Sequence, residues 1–371
     1  MPAIEKHFRE GLEEMKGIAE GAEVPLSNII LLNARYDLAR VQGESKVGEC
    51  TSMAYIQETP DLDGTPLVYV AQNWDMSSWL HDLDTIIVLE SHNPEADNVS
   101  SPSTIIALTE AGQLARSGLN SCGLGLCANS LWSNEDASLN QVISEPKPSL
   151  PFTLARRMFL ECGNFAAGLK ALCSFPRHVS GNIIVGSSSG IAIDFELTPS
   201  SYFALYPNDF SLAPNSAISI LTHANHFVST AMQARSDILD TYPGGSSLFR
   251  DRRLLKLVSK DLINESMSSI KNSVAKDSNP IESIKRAFSD HAGFPRSLCE
   301  HANKGEQKFG GVTGDTMTVA SVIYDLRNLE MHICKGNPCR GRWVTYSIGG
   351  KTQPAGLQQN EGLSDPYLCQ K

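Results

Sequence analysis

The order of extended and helical runs constrains this chain more than any single motif. A charge-rich, helix-forming opening of about fifty residues leads into strand-like runs at Thr51–Ile56, Leu67–Ala71, Thr85–Glu90, Ser103–Thr109 and Gly123–Leu126. Helical periodicity returns at Phe152–Glu161 and Phe165–Cys173, followed by strands at Asn182–Val185, Ile191–Leu197 and Ala217–Thr222. Helical runs at Thr230–Leu239, Ser247–Leu262 and Ile281–Asp290 then precede strands at Met317–Asp325, Glu330–Ile333 and Arg342–Ser347. Strand blocks interleaved with helix pairs predict a layered α+β domain, with helices outside two stacked sheets. In the opening, Ile4, Phe8, Leu12, Met15 and Ile18 recur at helical spacing and predict one amphipathic helix. A second helix is expected from Asn28 to about Val41, with Ser27 as its N-cap. Gly43–Gly48 reads as a polar connector, Ser133–Pro151 as a loop, and the residues after Gly349 as a loosely held tail.

Charge and hydropathy bound the function. With 31 basic against 41 acidic residues the net charge is −10, unfavourable for nucleic acid or anionic membrane. No apolar window is long enough to span a bilayer, and the opening twenty residues lack the apolar core of a signal peptide. Nine cysteines, an odd number without a secretory signal, are expected to be reduced thiols in the cytosol. His223 and His226 stand three apart without a third ligand, and the pairs Cys122/Cys127 and Cys334/Cys339 lack zinc-like companions. No metal site is therefore expected.

Chemistry is expected at Cys50. It follows Gly48-Glu49 and opens a strand-like run, and one hairpin later stands the polar cluster Gln72-Asn73-Trp74-Asp75. A thiol of ordinary pKa near 8.5 is mostly protonated at neutral pH and needs a base. An α-amine, with a reference pKa of about 7.7–8.0, can serve as that base for its own residue. The same thiol can first attack the Glu49 carbonyl, so that the chain cuts itself at Glu49–Cys50 and exposes the amine. Alternatively, Cys50 is a small buried hydrophobe, the commonest fate of a free cysteine.

Gly48-x-Cys50-Thr51-x-x-Ala54-Tyr55 with Gln72-Asn73-Trp74-Asp75 resembles the isopenicillin N acyltransferase family of N-terminal-nucleophile hydrolases. Gly17–Ala22, Leu31–Arg35, Thr109–Gly112, Gly118–Ser121, Cys127–Asn129, His223–His226, Ser247 with Arg250 and Arg253, and Ser321–Asp325 follow in the family's order. The similarity thus runs from about Gly17 to about Asp325.

The resemblance implies a four-layer αββα sandwich. It divides the chain into a pro-segment, 1–49, and a catalytic large subunit, 50–371, released from each other by self-cleavage yet remaining associated. It implies Cys50 as nucleophile, Asp75 orienting the freed amine, and Asn225 as oxyanion donor. It places Asn129 and Arg250 at the substrate, and treats the two histidines as supports. Acyl transfer from an acyl-coenzyme A co-substrate or an amide to a small amine acceptor is the implied activity, with hydrolysis of small N-acyl or β-alanyl amides as the alternative. An uncleaved Cys–His hydrolase remains a further alternative. No cofactor, nucleic acid or membrane is implied. Two departures stand out: Asp315 lies near a position where fungal members carry an arginine, and Cys369-Gln370-Lys371 is not a Ser-Lys-Leu-type peroxisomal tripeptide.

Overall fold

Alternate residues of one strand divide the molecule into layers. In β1 (Thr51–Gln57), Met53 and Tyr55 belong to one buried cluster and Ala54 and Ile56 to another. Successive strand side chains point to opposite faces, so a strand buried on both faces needs a layer on each side. The computed structural model, which describes residues 2–43, 49–58, 65–213, 216–272, 279–302 and 315–349, supplies those layers.

The opening helices are α1 (Pro2–His7), α2 (Arg9–Gly21), α3 (Leu26–Asn33) and α4 (Arg35–Val41). After β1 come β2 (Leu67–Ser77), α5 (Trp79–Asp82), β3 (Ile86–His92), β4 (Thr104–Glu110), β5 (Ser117–Asn120) and β6 (Leu124–Ser130). Then follow α6 (Leu139–Ser144), α7 (Phe152–Leu160), α8 (Phe165–Ser174), β7 (Gly181–Ser187), β8 (Ile191–Leu197), β9 (Tyr202–Leu205), β10 (Asn208–Ala213) and β11 (Ser216–His223). The chain continues with α9 (Thr230–Gln233), α10 (Ser247–Asn272), α11 (Pro280–Phe288), β12 (Thr316–Asp325), β13 (Glu330–Lys335) and β14 (Trp343–Ser347).

Two seven-stranded sheets result, ordered β10-β11-β1-β2-β12-β13-β14 and β3-β4-β5-β6-β7-β8-β9. Neighbouring strands pair antiparallel in both sheets. Between them lies a core that includes Ala54, Val68, Val70, Leu108, Leu119, Ile184, Val322 and Tyr324. α10 and α11 cover the first sheet through Leu254, Val258, Ile284 and Phe288. On the second sheet lie α1–α4, α7 and α8, through Ile4, Met15, Ile29, Leu154 and Phe159. The predicted αββα sandwich is the observed architecture. No helix among the described residues is long and apolar enough to cross a membrane.

Local departures from expectation have physical causes. The first helix breaks at Phe8 (φ −152°), whose ring turns into the core over Gly11, where a Cβ would stand 2.2 Å from it. The second starts at Leu26 rather than Asn28, with Pro25 instead of Ser27 at its N-cap, and breaks before Arg35. There Asn33 is buried, donating to Gly112 O and accepting from Leu114 N. The helix expected over Thr230–Leu239 ends at Gln233. The expected loop Ser133–Pro151 holds α6, whose capping box joins Ser138 and Gln141. β2 runs through the polar cluster as far as Ser77, because Gln72, Asn73 and Asp75 each find buried partners. The connector residues 44–48 and the tail from 350 lie outside the described residues.

Candidate active site

Cys50 immediately precedes β1 and is wholly buried. Its N–H donates to Asn225 Oδ1 at 2.8 Å, and its Sγ lies 3.9 Å from Asp75 O. Arg116 Nη2 stands 3.4 Å from the sulfur, with its guanidinium stacked 4.3 Å from the Trp74 ring centroid. Burial pushes the Cys50 thiol above its ordinary range, and the Arg116 charge works against that push. A cation beside a thiolate is what a buried sulfur nucleophile requires.

Arg250 binds the residues on both sides of the expected cut. Fully buried in the first turn of α10, it donates to Cys50 O and Thr51 Oγ1, each at 2.6 Å, to Asn225 Oδ1 at 2.8 Å and to Ser246 Oγ at 3.0 Å. Glu49 Oε2 lies 3.8 Å from its Nε and also accepts from Ser246 Oγ. Asn225 is fixed in turn, its Nδ2 donating to Ser130 O at 3.0 Å and its N–H to Ser247 Oγ at 2.7 Å. Two donors aimed at one atom of Asn225 require that atom to be the amide oxygen.

Asp75 sits behind the thiol. Thr318 Oγ1 donates to its Oδ1 at 2.6 Å, while Oδ2 is buried without a hydrogen-bond partner among the described residues. Burial, with Glu300 nearby, pushes the Asp75 carboxyl well above its usual range, against Arg250 and the Thr318 bond. Glu300 is itself pushed up to about 7 by burial and by Glu49. The environment therefore favours the neutral forms of these carboxyls, and a new positive charge at Cys50 N would favour ionisation.

The remaining expected residues lie one step away. Asn129 Oδ1 accepts from Ser52 Oγ at 2.6 Å and Gln72 Nε2 at 3.0 Å, while its Nδ2 reaches Asn182 Oδ1 and His223 O. A cavity of about 10 Å³ lies beside Asn129, Arg116 and Tyr36, the space of one water. His223 spends both ring nitrogens elsewhere, on Ala224 O and on Glu196 Oε1, and His226 Nδ1 meets Ser247 Oγ.

His223 makes stability depend on pH. Burial opposes its charge, but Asp194 and Glu196 outweigh burial and raise its pKa to about 9, from an ordinary 6.5. A raised folded-state value stabilises the fold fully below the ordinary pKa, and that stability is lost as pH climbs through 9. The urea midpoint is therefore expected to fall from pH 7 to pH 10, and His223→Gln is expected to flatten that slope. An equally steep slope in the variant would remove His223 as its cause.

Sequence reading missed Arg116, Thr318 and Ser246. Thr318, 243 residues from Asp75, meets it through the β2–β12 pairing, and Arg116, 66 residues from Cys50, reaches it from the other sheet across the stack. No local pattern marks either one.

Comparison with known proteins identifies the family of the chain. The profile of the family described as "Acyl-coenzyme A:6-aminopenicillanic acid acyl-transferase" matches residues 63–340. The 40 kDa form of acyl-coenzyme A:6-aminopenicillanic-acid-acyltransferase from Emericella nidulans is 28% identical over 191 residues. That match covers 51% of this chain and 46% of the relative, so the chain spans about half the length of the curated relative it matches. Among solved structures, a variant of conjugated bile acid hydrolase from Clostridium perfringens shares 12% identity, with a TM-score of 0.42 over 83% of this chain and 99% of that one. Penicillin V acylase from Agrobacterium tumefaciens shares 11%, with a TM-score of 0.40 over 81% of this chain and 86% of that one. On the profile match, which spans most of its length, the chain belongs to the acyl-coenzyme A:6-aminopenicillanic acid acyl-transferase family.

Proposed function

We propose that this chain is a self-processing N-terminal cysteine acyltransferase or amidohydrolase working through a thioester on Cys50. The observation that carries the reading is a buried thiol with a guanidinium at its sulfur and a fixed amide oxygen at its nitrogen. Self-cleavage would begin with Sγ attacking the Glu49 carbonyl carbon. The Glu49–Cys50 C–N bond breaks as the nitrogen takes the thiol proton, leaving the acyl chain on sulfur. Water then releases a Glu49 carboxylate and restores the thiol.

The freed amine keeps its acceptor, Asn225 Oδ1, and can take the Sγ proton. Asp75 Oδ2, buried and unpartnered, is the carboxylate oxygen left to balance an ammonium there. The thiolate attacks the carbonyl of an acyl-coenzyme A or an amide, and the leaving thiol or amine carries the proton away. A small amine acceptor, or water, then attacks the thioester and regenerates the thiol. Asn225 serves as oxyanion donor by exchanging Ser130 O for the tetrahedral oxygen, and Arg116 offers a second donor from the sulfur side. Asn129 and Arg250 act on the substrate by holding Ser52 and Thr51 at the start of β1. This cycle requires no bound cofactor.

The two fragments would stay together after the cut. Ile4, Phe8, Leu12, Met15, Ala19, Ile29 and Val41 share one core with α7 and the second sheet, and Arg157 pairs with Glu14. Burying a single such large side chain contributes about 1.5–3 kcal/mol. Neither His223 nor His226 bonds to Cys50, which disfavours the uncleaved Cys–His alternative.

Thioester trapping tests the proposal. Protein incubated with a panel of acyl-coenzyme A thioesters and small amides, without an amine acceptor, is quenched in acid and weighed by mass spectrometry. The expected product is a fragment beginning at Cys50 plus one acyl group, removable by hydroxylamine. An acyl adduct that persists in Cys50→Ala would contradict it.

A further inference from the structure

We propose a tetrahedral zinc site, separate from Cys50, formed by His291, Cys299, His301 and Cys339. Their ligand atoms all lie within 4.8 Å of one another. His291 Nε2 is 3.1 Å from His301 Nε2, Cys299 Sγ is 3.4 Å from that nitrogen, and Cys339 Sγ is 3.6 Å from it. A tetrahedral zinc with bonds of about 2.0–2.1 Å to nitrogen and about 2.3 Å to sulfur sets N–N edges near about 3.3 Å and N–S edges near about 3.6 Å. The three spacings to His301 Nε2 lie within about 0.2 Å of those edges. Two thiolates and two neutral imidazoles also neutralise a divalent cation and fill its four positions, which makes the site structural rather than catalytic.

The surroundings orient the ligands. Asn337 Nδ2 lies 3.5 Å from Cys299 Sγ, an N–H···S contact of the kind that supports metal-bound thiolates. Cys299 N–H donates to Asp290 O, His301 N–H to Pro295 O, and Phe294 N–H to His291 O, so backbone bonds within one segment present three ligands. Cys339 comes from the connection between β13 and β14. Sequence spacing pairs Cys339 with Cys334 and finds no companions, because its companions are 38 to 48 residues earlier in the chain. Cys299 is buried, Cys339 and His301 are half-buried and His291 is exposed, so a cation can reach the site from solvent.

The site stands behind the acid of the active site. Glu300, between two ligands, accepts the Thr318 N–H at 2.9 Å on its carbonyl, and its own N–H donates to Thr318 Oγ1 at 2.9 Å. That same hydroxyl donates to Asp75 Oδ1. Zinc would clamp the segment that fixes Thr318, and through it Asp75.

Metal analysis of the full chain, purified and kept in reductant, is the test. One zinc per chain is expected after dialysis or after zinc addition. It should fall at least tenfold in Cys299→Ser combined with Cys339→Ser, and persist in Cys122→Ser. Because Cys299 is buried and that double variant can lose its fold, exposed His291→Ala is the second arm. It should keep native circular dichroism while losing zinc to a chromogenic chelator at a concentration at least tenfold lower. Cobalt(II) added to metal-free protein should give thiolate charge-transfer and tetrahedral ligand-field bands. A folded, fully reduced wild type that binds neither metal overturns the site. So does zinc content unchanged in both variants, or a Cys299–Cys339 disulfide that persists in reductant in place of the metal.

Discussion

Replacing Cys50 with alanine is expected to leave the chain whole at Glu49–Cys50 and to abolish acyl transfer. The substitution removes only the sulfur, and Asn225 and Arg250 still bind the backbone on either side through Cys50 N and O. The fold should therefore survive, with native circular dichroism. The expected loss in kcat/KM is about 10⁴-fold or more, the scale on which nucleophile deletions fall in hydrolases. Cys50→Ser sharpens the result, because an oxygen nucleophile in the same place should cut the chain slowly rather than not at all. Turnover by Cys50→Ala above a hundredth of wild type would move the nucleophile to another residue. Cys127 is the obvious candidate to inspect, since it too is buried and shares the core between the sheets. Burial pushes its thiol well above the ordinary range against the nearby Arg116 charge, but Arg116 directs its hydrogen bond to Cys50 Sγ.

Arg250→Met is expected to cost about 3–5 kcal/mol of stability, the range for removing one partner from a buried charge cluster. The cation holds Cys50 O, Thr51 Oγ1, Asn225 Oδ1 and Ser246 Oγ, and Glu49 lies beside it; methionine fills similar space and satisfies none of them. The measurement is a urea titration in the Cys50→Ala background, where neither chain is cut and the two unfold from the same covalent state. A loss below about 1 kcal/mol would place Arg250 among solvated surface pairs and contradict its burial. With Cys50 present, the variant should also cut itself more slowly, because Asn225 and the backbone flanking Cys50 lose their common anchor.

What could be read in the sequence was whatever repeats locally. Short, largely apolar runs located β1, β4, β7, β8 and β12, strands buried on both faces or nearly so, and 3.6-residue periodicity located α7, α8 and α11. Short strands escaped: β5 has four residues, and β9 is mostly half-exposed. β2 was cut short because polar Gln72, Asn73 and Asp75 interrupt the hydropathy, although buried partners let the strand continue. Cys50, Asp75 and Asn225 carried recognisable neighbours in sequence. Arg116 and Thr318 stood out less, since Thr318 depends on which strands pair and Arg116 on how the two sheets stack. The same reasoning applies to Cys339, which three side chains from another segment complete.

A free amine on Cys50 requires the bond between residues 49 and 50 to break without outside help. The most direct measurement is the intact mass of freshly purified wild-type protein, followed over time in the presence of protease inhibitors. Two species are predicted, one ending at Glu49 and one beginning with a free amine on Cys50, remaining together on gel filtration. A homogeneous uncut chain that turns over substrate at full rate would rule out self-cleavage as the source of the catalytic amine.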